Sequence, residues 1–422
     1  MHMSRVQTIA AIAVLALLVL GAPVLAADDE PLRVWFLTWL WSDELHEMAD
    51  RFTQETGIEL SVEWVDPEVL TERLTLAVAG GVAPDVVQVT TARTYGQDSL
   101  LLPLNGYIER SLAMSWDDFF GAPAEWSYHE ATGTIYGIPF TTDARILGWN
   151  KRLFREAGLN ENAPPQTWDD FLETIRRLTR WDAEGNLEKA GFDFGGEGQW
   201  FPIYLGVAGG ELWDYSVEPP TALPDLEPAI KAFRFGLDVI NLLGGWPAYD
   251  TYVQATPEPL TRFQDRTAML VFGSPVGRTI QSQFPDLEVG YTWVPIDRDG
   301  GKRYSLSGGY QFAIPVGAEK PDLGWQFIEW FVEPANLADY TSRTGWIPPR
   351  FSALPEYEIP TWMDAVVLEI AQAGRAWPES YGAAYEFQTA FMEVLSGQTT
   401  PEAAAMQLKE SLQVAANRHY VR

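Results

Sequence analysis

The sequence predicts an α/β chain built as two domains, and three observations carry that prediction. At 422 residues the chain is too long for one ordinary core. Its composition, 46% apolar and 21% charged, is that of a globular protein rather than a disordered one. Short β-type runs alternate with stretches of helical periodicity, the pattern of layered strands and helices.

The first element is not part of the fold. Arg5 is followed by an unbroken apolar run from Ile9 to Leu20, then by Gly21 and Pro23, small residues around Ala26, and the acidic Asp28-Asp29-Glu30. That is the order of a secretory signal peptide, expected to span residues 1–27. Its apolar core of about a dozen residues falls short of the ~20 that a membrane span needs. The chain contains no cysteine, which excludes disulfides, thiolate metal sites, a cysteine nucleophile and a lipid-modified cysteine behind the signal. An exported chain without such an anchor is expected in the periplasm, with secretion as the alternative.

Beyond the signal, Leu45, Met48, Ala49 and Phe52 recur at helical spacing and Gly57 ends the pattern. Glu59–Val65 alternates as a strand, with Leu60, Val62 and Trp64 on one face. Asp85–Thr90 is a short apolar strand after Pro84. Ser115-Trp116-Asp117-Asp118 and Thr167-Trp168-Asp169-Asp170 each place a hydroxyl three residues before a carboxylate, which predicts two capped helix starts. From the second start, Trp168, Phe171, Leu172, Ile175 and Leu178 form one stripe. Leu323, Phe327, Ile328 and Phe331 mark a further helix.

Several functions are excluded. The formal net charge is −29, and about −30 once Arg5 leaves with the signal, so nucleic acid and anionic lipid are repelled. Only His2, His46, His129 and His419 are present, and none pairs at metal-ligand spacing. No phosphate-cradling P-loop occurs, and Gly195-Gly196-Glu197-Gly198 lacks the dinucleotide spacing. In Gly273-Ser274-Pro275-Val276-Gly277 the serine sits one place too early for a nucleophile elbow. Leu306–Tyr310 imitates the signature loop of transporter ATPases, but without a P-loop it carries no weight. No cofactor or metal is expected. A glycosidase pair of carboxylates cannot be recognised by counting among 58 acidic residues.

The positive signal is aromatic. There are 18 tryptophans, 16 tyrosines and 21 phenylalanines. Trp39, Trp41, Trp200, Trp213, Trp246, Tyr310 and Trp346 stand beside loop residues rather than within helical stripes. A flat ring offers an apolar face to the C–H face of a sugar, or a π face to a cation.

The order of several segments resembles the extracellular solute-binding proteins of carbohydrate ABC importers, the group that includes maltose-binding protein. These are Phe52–Ile58, Ala83–Val87, Gly133–Pro139, Trp149–Leu159 with Pro165–Trp168, Phe263 with Thr267–Met269 and Gly273, and Thr344–Pro348. The resemblance runs from about Leu32 to the C-terminus. It implies a two-lobed periplasmic binding protein fold with three interlobe crossings and a central ligand cleft. Residues 28–142 and 307–345 would form the N-terminal lobe, and 143–306 and 346–422 the C-terminal lobe. It further implies that ligand contacts come from Trp39, Trp41 and Asp43, from Thr91 and Arg93, and from Asp143. Glu197, Gln199 and Trp200, then Gly309 and Tyr310, and finally Trp346 and Arg350, would complete the set. For Arg93, Asp143 and Arg350 an interlobe ion pair is an equal alternative. Relatives often carry a tryptophan shortly after the glycine matching Gly273; here Pro275 and Val276 follow, and Phe272 is the expected replacement.

The resulting expectation is a monomeric, non-catalytic receptor. It would capture a mono- to short oligosaccharide, or a glycoside, and deliver it to an ABC permease. A binder of a cationic solute and an exported glycosidase or lyase are the alternatives.

Overall fold

A computed structural model of the chain describes residues 30–38, 42–130, 132–195, 201–217, 219–376 and 384–420. The expected signal peptide lies outside the described residues. In chain order, the elements that position the site are β1 (Leu32–Leu37), α1 (Ser42–Thr56), β2 (Leu60–Val65), β3 (Val86–Val89), α2 (Ala92–Gln97), α3 (Ala122–Ser127), β4 (Ile138–Thr142) and β5 (Arg145–Asn150). They continue with α4 (Trp168–Leu178), α5 (Phe201–Val207), α6 (Glu227–Leu242), β6 (Met269–Gly273), α7 (Val276–Gln283), β7 (Val289–Thr292), β8 (Gly309–Ala313), α8 (Pro321–Phe331) and α9 (Val366–Ala373).

The first lobe is a five-stranded sheet in the order β2-β1-β3-β8-β4. β1 pairs in parallel with β2 and β3, whereas β8 runs antiparallel to β3 and β4. Side chains alternate across a strand, so β1 feeds two cores. Val34 and Phe36 join Phe140, Phe312, Phe327 and Ile328 on one face. Trp35 and Leu37 join Val65, Val87, Val89 and Ala313 on the other. A strand covered on both faces reads as a nearly continuous apolar run, as Leu32–Leu37 does. Leu45, Met48, Ala49 and Phe52 of α1 all enter the first of these cores. Gly57, at φ +75°, ends that helix, a conformation that costs glycine nothing.

The second lobe is built on an antiparallel sheet in the order β6-β5-β7. Met269 and Val271 of β6 face the large core formed with α4, α5 and α6. Leu270 and Phe272 face the opposite core, covered by Val367, Ile370 and Ala371 of α9. Thr167 caps α4 as the sequence predicts: its hydroxyl accepts the Asp170 amide at 3.3 Å. Trp168 stacks on Phe235 with ring centroids 4.2 Å apart. Among the described residues, no helix is long and apolar enough to cross a membrane.

Two expectations need correction. Ser115 makes no side-chain cap, and Trp116–Asp118 is a single 3-10 turn followed by extended chain at Phe119. The reason is that Asp118 bonds Arg350 and Ser352 instead. The second correction concerns Pro349–Ala353, expected in the C-terminal lobe. This stretch packs on the first lobe, where the Phe120 amide donates to the Pro349 carbonyl at 3.0 Å and Ala353 enters the Phe36 core.

The lobes meet where β4 of one sheet leads within three residues into β5 of the other. The Thr142 amide donates to the Ile347 carbonyl at 2.8 Å, and the Ile347 amide returns to the Thr142 carbonyl at 2.9 Å. The Thr142 and Ser307 hydroxyls lie 2.8 Å apart, and Ser307 donates to the Asp143 carbonyl at 2.7 Å. These groups are buried, so every polar atom at this junction needs a protein partner.

Candidate functional site: a cleft between the lobes

Elements from both lobes line one cavity of about 180 Å³. The first lobe supplies Arg93 from α2, Glu125 and Trp126 from α3, and Glu130. The second supplies Pro202 and Leu205 of α5, the 210–215 segment with Glu211, Trp213 and Tyr215, and then Tyr304, Arg375 and Ala376.

Local sequence explains these placements. Gly121, at φ +75°, turns the chain and Pro123 opens α3, whose one exposed side chain facing the cavity is Glu125. Trp126 is mostly buried, so it presents an edge or face rather than a free ring. Tyr215 is 57% exposed and forms an aromatic surface at the cavity mouth. Gly206 lies against the Tyr304 ring, where a Cβ would come within 2.3 Å, so a glycine lets that tyrosine close on α5.

The charges in the cleft are coupled. The Glu125 side chain is open to the cavity, yet the surrounding wall strips enough water from its carboxyl to push it above the usual range, opposed by the Arg375 and Arg93 charges, while Glu130 adds to the rise. Glu211 accepts from Lys302 Nζ at 2.9 Å, and the same ammonium sits 5.8 Å from the Tyr304 ring centre. Burial also raises the Tyr304 phenol, which keeps it a neutral donor. Glutamates and guanidiniums around aromatic faces can hold a polyhydroxylated ligand: hydroxyls donate to the carboxylates and accept from the arginines. Among the described residues, no group of His, Cys, Asp and Glu could hold a metal ion.

The residues expected at the site scatter. Trp39, Trp41, Glu197, Gln199 and Trp200 lie outside the described residues. Arg93 lines the cavity, and half-buried Thr91 stands at the start of the same helix. Asp43 is exposed in the first turn of α1. Asp143 is 3% exposed and bound to the protein: Oδ1 accepts the Gly308 amide at 2.5 Å and Oδ2 pairs with Arg145. Gly309, at φ +153°, approaches Thr141 so closely that a Cβ would fall 2.0 Å from its carbonyl oxygen. That approach carries Tyr310, whose ring meets Trp346 edge-on at 5.4 Å.

Two of those expectations are corrected by the packing. The side chain of Phe272 belongs to the second lobe's interior, edge-on to Phe263 and Tyr291, because the alternation of β6 turns it away from the cleft. Arg350 is 4% exposed, with Nε on Asp118 at 2.6 Å and its two terminal nitrogens on the Val332 and Ala113 carbonyls, each at 2.5 Å. All of these partners are in the first lobe, so Arg350 pins a loop to its own lobe and makes no interlobe pair.

Sequence reasoning missed Glu125, Trp126, Glu211, Tyr304 and Arg375. Trp213 stood out among the loop aromatics and does line the cavity; Trp246, singled out with it, packs against the second core instead. Glu125 carried a usable signal, a carboxylate beside a tryptophan directly after a Gly-Ala-Pro helix start.

A family model described as bacterial extracellular solute-binding protein matches residues 39–338. A putative binding protein of Brucella abortus (strain 2308) is 22% identical over 313 residues, covering 72% of this chain and 71% of its own length. The solved structure of CpMnBP1 with mannotriose bound superposes with a TM-score of 0.74 at 22% identity, covering 90% of this chain and 99% of that one. The GacH receptor of Streptomyces glaucescens, solved unliganded and with acarbose, superposes with a TM-score of 0.74 at 21% identity, covering 92% and 98%. At these identities the structural likeness establishes the fold.

Proposed function

Because the chain belongs to the bacterial extracellular solute-binding proteins, we propose that it is the exported receptor of an ABC importer, capturing a mono- to short oligosaccharide or a glycoside in the cleft between its lobes. The observation that carries this reading is the composition of that cleft. Trp126, Trp213, Tyr215 and Tyr304 offer ring surface, and Glu125, Glu130, Glu211, Arg93 and Arg375 offer hydrogen bonds of both polarities. That mixture suits sugar rings, which are apolar on their C–H faces and ringed by hydroxyls. The sugars bound by CpMnBP1 and by the GacH receptor are consistent with it.

The mechanism follows from two lobes joined by narrow strands. Ligand held by one lobe draws the other over it, water leaves, and the closed form is what a permease recognises. The receptor acts in the periplasm, on the strength of the signal-like segment before Asp28. Binding is its whole task, and the cleft carboxylates serve as acceptors rather than as an acid/base pair. A cationic solute fits less well, because Arg93 and Arg375 both face the cavity.

A thermal-shift screen of neutral sugars, glycosides and quaternary ammonium compounds tests the reading. A sugar should raise the melting temperature in a concentration-dependent way. A rise with the cations alone, or sustained release of reducing sugar by the purified protein, would overturn it.

A further inference from the structure

We infer that Gln311, a buried residue of β8, is the positioning residue for Arg93: by capping α2 from that strand, it fixes where the helix presents the guanidinium in the cleft. The inference rests on the carbohydrate reading above and deepens it, by naming a residue on which affinity depends although it touches no ligand.

Gln311 is 0% exposed and lies inside the first sheet, opposite Val89 of β3 and Pro139 of β4. Phe312 enters the Phe36 core, so alternation along β8 turns its neighbours to the other face, where Ala92 is buried among apolar side chains. A polar side chain so deep needs a partner. Gln311 Oε1 accepts the Ala92 amide at 3.1 Å, across 219 positions of sequence. Ala92 is the first residue of α2, whose opening amides have no acceptor within the helix. Thr91 stands at the usual capping position, yet its side chain makes no cap. Gln311 does that task from β8 instead.

Two close approaches keep α2 from finding another seat. A Cβ on Gly137 would come within 2.5 Å of the Ala92 Cβ and 3.0 Å of the Gln311 Cβ. One on Gly96 would fall 2.2 Å from the Tyr136 ring. The helix is thus set down on residues 136–137 and tied at its first amide, and Arg93, next in the chain, lines the cavity. The other end of the same side chain is unfavourable: Gln311 Nε2 is buried and finds no hydrogen-bond partner among the described residues. An unmet donor inside a sheet is poor for stability alone. That loss is offset where the opposite end of the amide holds a ligand-facing helix in one place, since affinity depends on the support behind the contacting residues.

The test is isothermal titration of the full mature protein, its Gln311→Met and Arg93→Ala variants and the double variant, with neutral mono- to trisaccharides starting from glucose, mannose, galactose, maltose and mannotriose. Gln311→Met keeps a side chain of similar length without the acceptor, and should weaken binding of the responsive sugar about fivefold or more. In the Arg93→Ala background the same change should weaken it less than about twofold, because the group it positions is gone. In an Arg375→Gln background it should keep its full effect, which separates positioning from a general loss of stability. Gly137→Ala leaves the amide in place but pushes Ala92 away, and should show the same dependence on Arg93; it carries the test should Gln311→Met fail to fold. If none of the sugars binds, the carbohydrate reading fails and this inference falls with it. If a sugar binds and both changes leave its affinity unchanged, or weaken it equally with and without Arg93, the carbohydrate reading stands and this inference is overturned.

Discussion

Asp143 fastens Gly308 to the junction of the two lobes, its Oδ1 accepting the Gly308 amide at 2.5 Å. The two residues stand 165 positions apart in the chain and belong to different segments passing between the sheets. With Arg145 on its other oxygen, the carboxylate is a joint rather than a ligand contact. Asp143→Ala leaves a buried amide and a mostly buried guanidinium without their acceptor and should cost about 3 kcal/mol of stability. Asp143→Asn keeps an acceptor for Gly308 and should cost about 1 kcal/mol. Urea denaturation of the two variants measures both; equal losses would mean that the Arg145 pair carries the joint.

Arg350 makes a stability prediction with a pH signature. Arg350→Ala removes bonds to Asp118, Val332 and Ala113 and should cost about 3–5 kcal/mol. Ligand affinity of the folded protein should change less than about twofold, since the partners lie away from the cleft lining. Burial alone would lift the Asp118 carboxyl, but hydrogen bonds from Ser352 and Arg350 outweigh it and hold the group below its usual value. A carboxyl depressed in the folded state adds stability above its unfolded pKa and loses it as pH falls through the folded one. Part of the acid destabilisation below about pH 4 should therefore vanish in Arg350→Ala, which denaturation midpoints measured from pH 6 down to pH 3 would reveal.

The two helix-start idioms separate what sequence can and cannot say. Thr167→Ala should cost about 1 kcal/mol, because the hydroxyl caps the Asp170 amide. Ser115→Ala should stay within about 0.5 kcal/mol, because Ser115 is exposed and caps nothing. Thermal melts of the two variants decide it. Locally the two stretches are equivalent, hydroxyl-Trp-Asp-Asp. What differs is a partner 232 residues away, Arg350, which claims Asp118. Local periodicity was enough for α1, β2, α4 and α8, since each of these buries a face that the spacing already marks.

The site was less legible for a related reason. Phe272 looked like a stacking platform, but the register of β6 on β5, with Phe272 opposite Ile146, commits its ring to the α9 side. That register is set by strand pairing, which no local window contains. Glu125 and Arg375 are 250 positions apart, and nothing in the local sequence of either points to the other. Only the path of the chain through both lobes brings them to one cavity. Arg93 was recognisable because the family resemblance places the loop after β3 at the cleft, and Trp213 because it stood among the loop aromatics.

The interlobe ion pair of Glu44 and Arg278 yields the prediction closest to function. Glu44 sits in the first turn of α1 and Arg278 on α7 of the other lobe. Glu44 is mostly buried while Arg278 is more than a third exposed, so solvent screening keeps the pair near 0.5–1 kcal/mol. That is small for folding but not for a hinge, where the lobes need only separate. Arg278→Gln should leave the melting temperature within about 2 °C and weaken ligand binding about two- to fivefold, by taking one contact from the closed arrangement. The same loss should come from raising the salt concentration on the unmodified protein, and the variant should respond less to salt. Small-angle scattering of the unliganded variant should report a larger radius of gyration. Unchanged scattering together with unchanged affinity would show that the pair contributes nothing to closure.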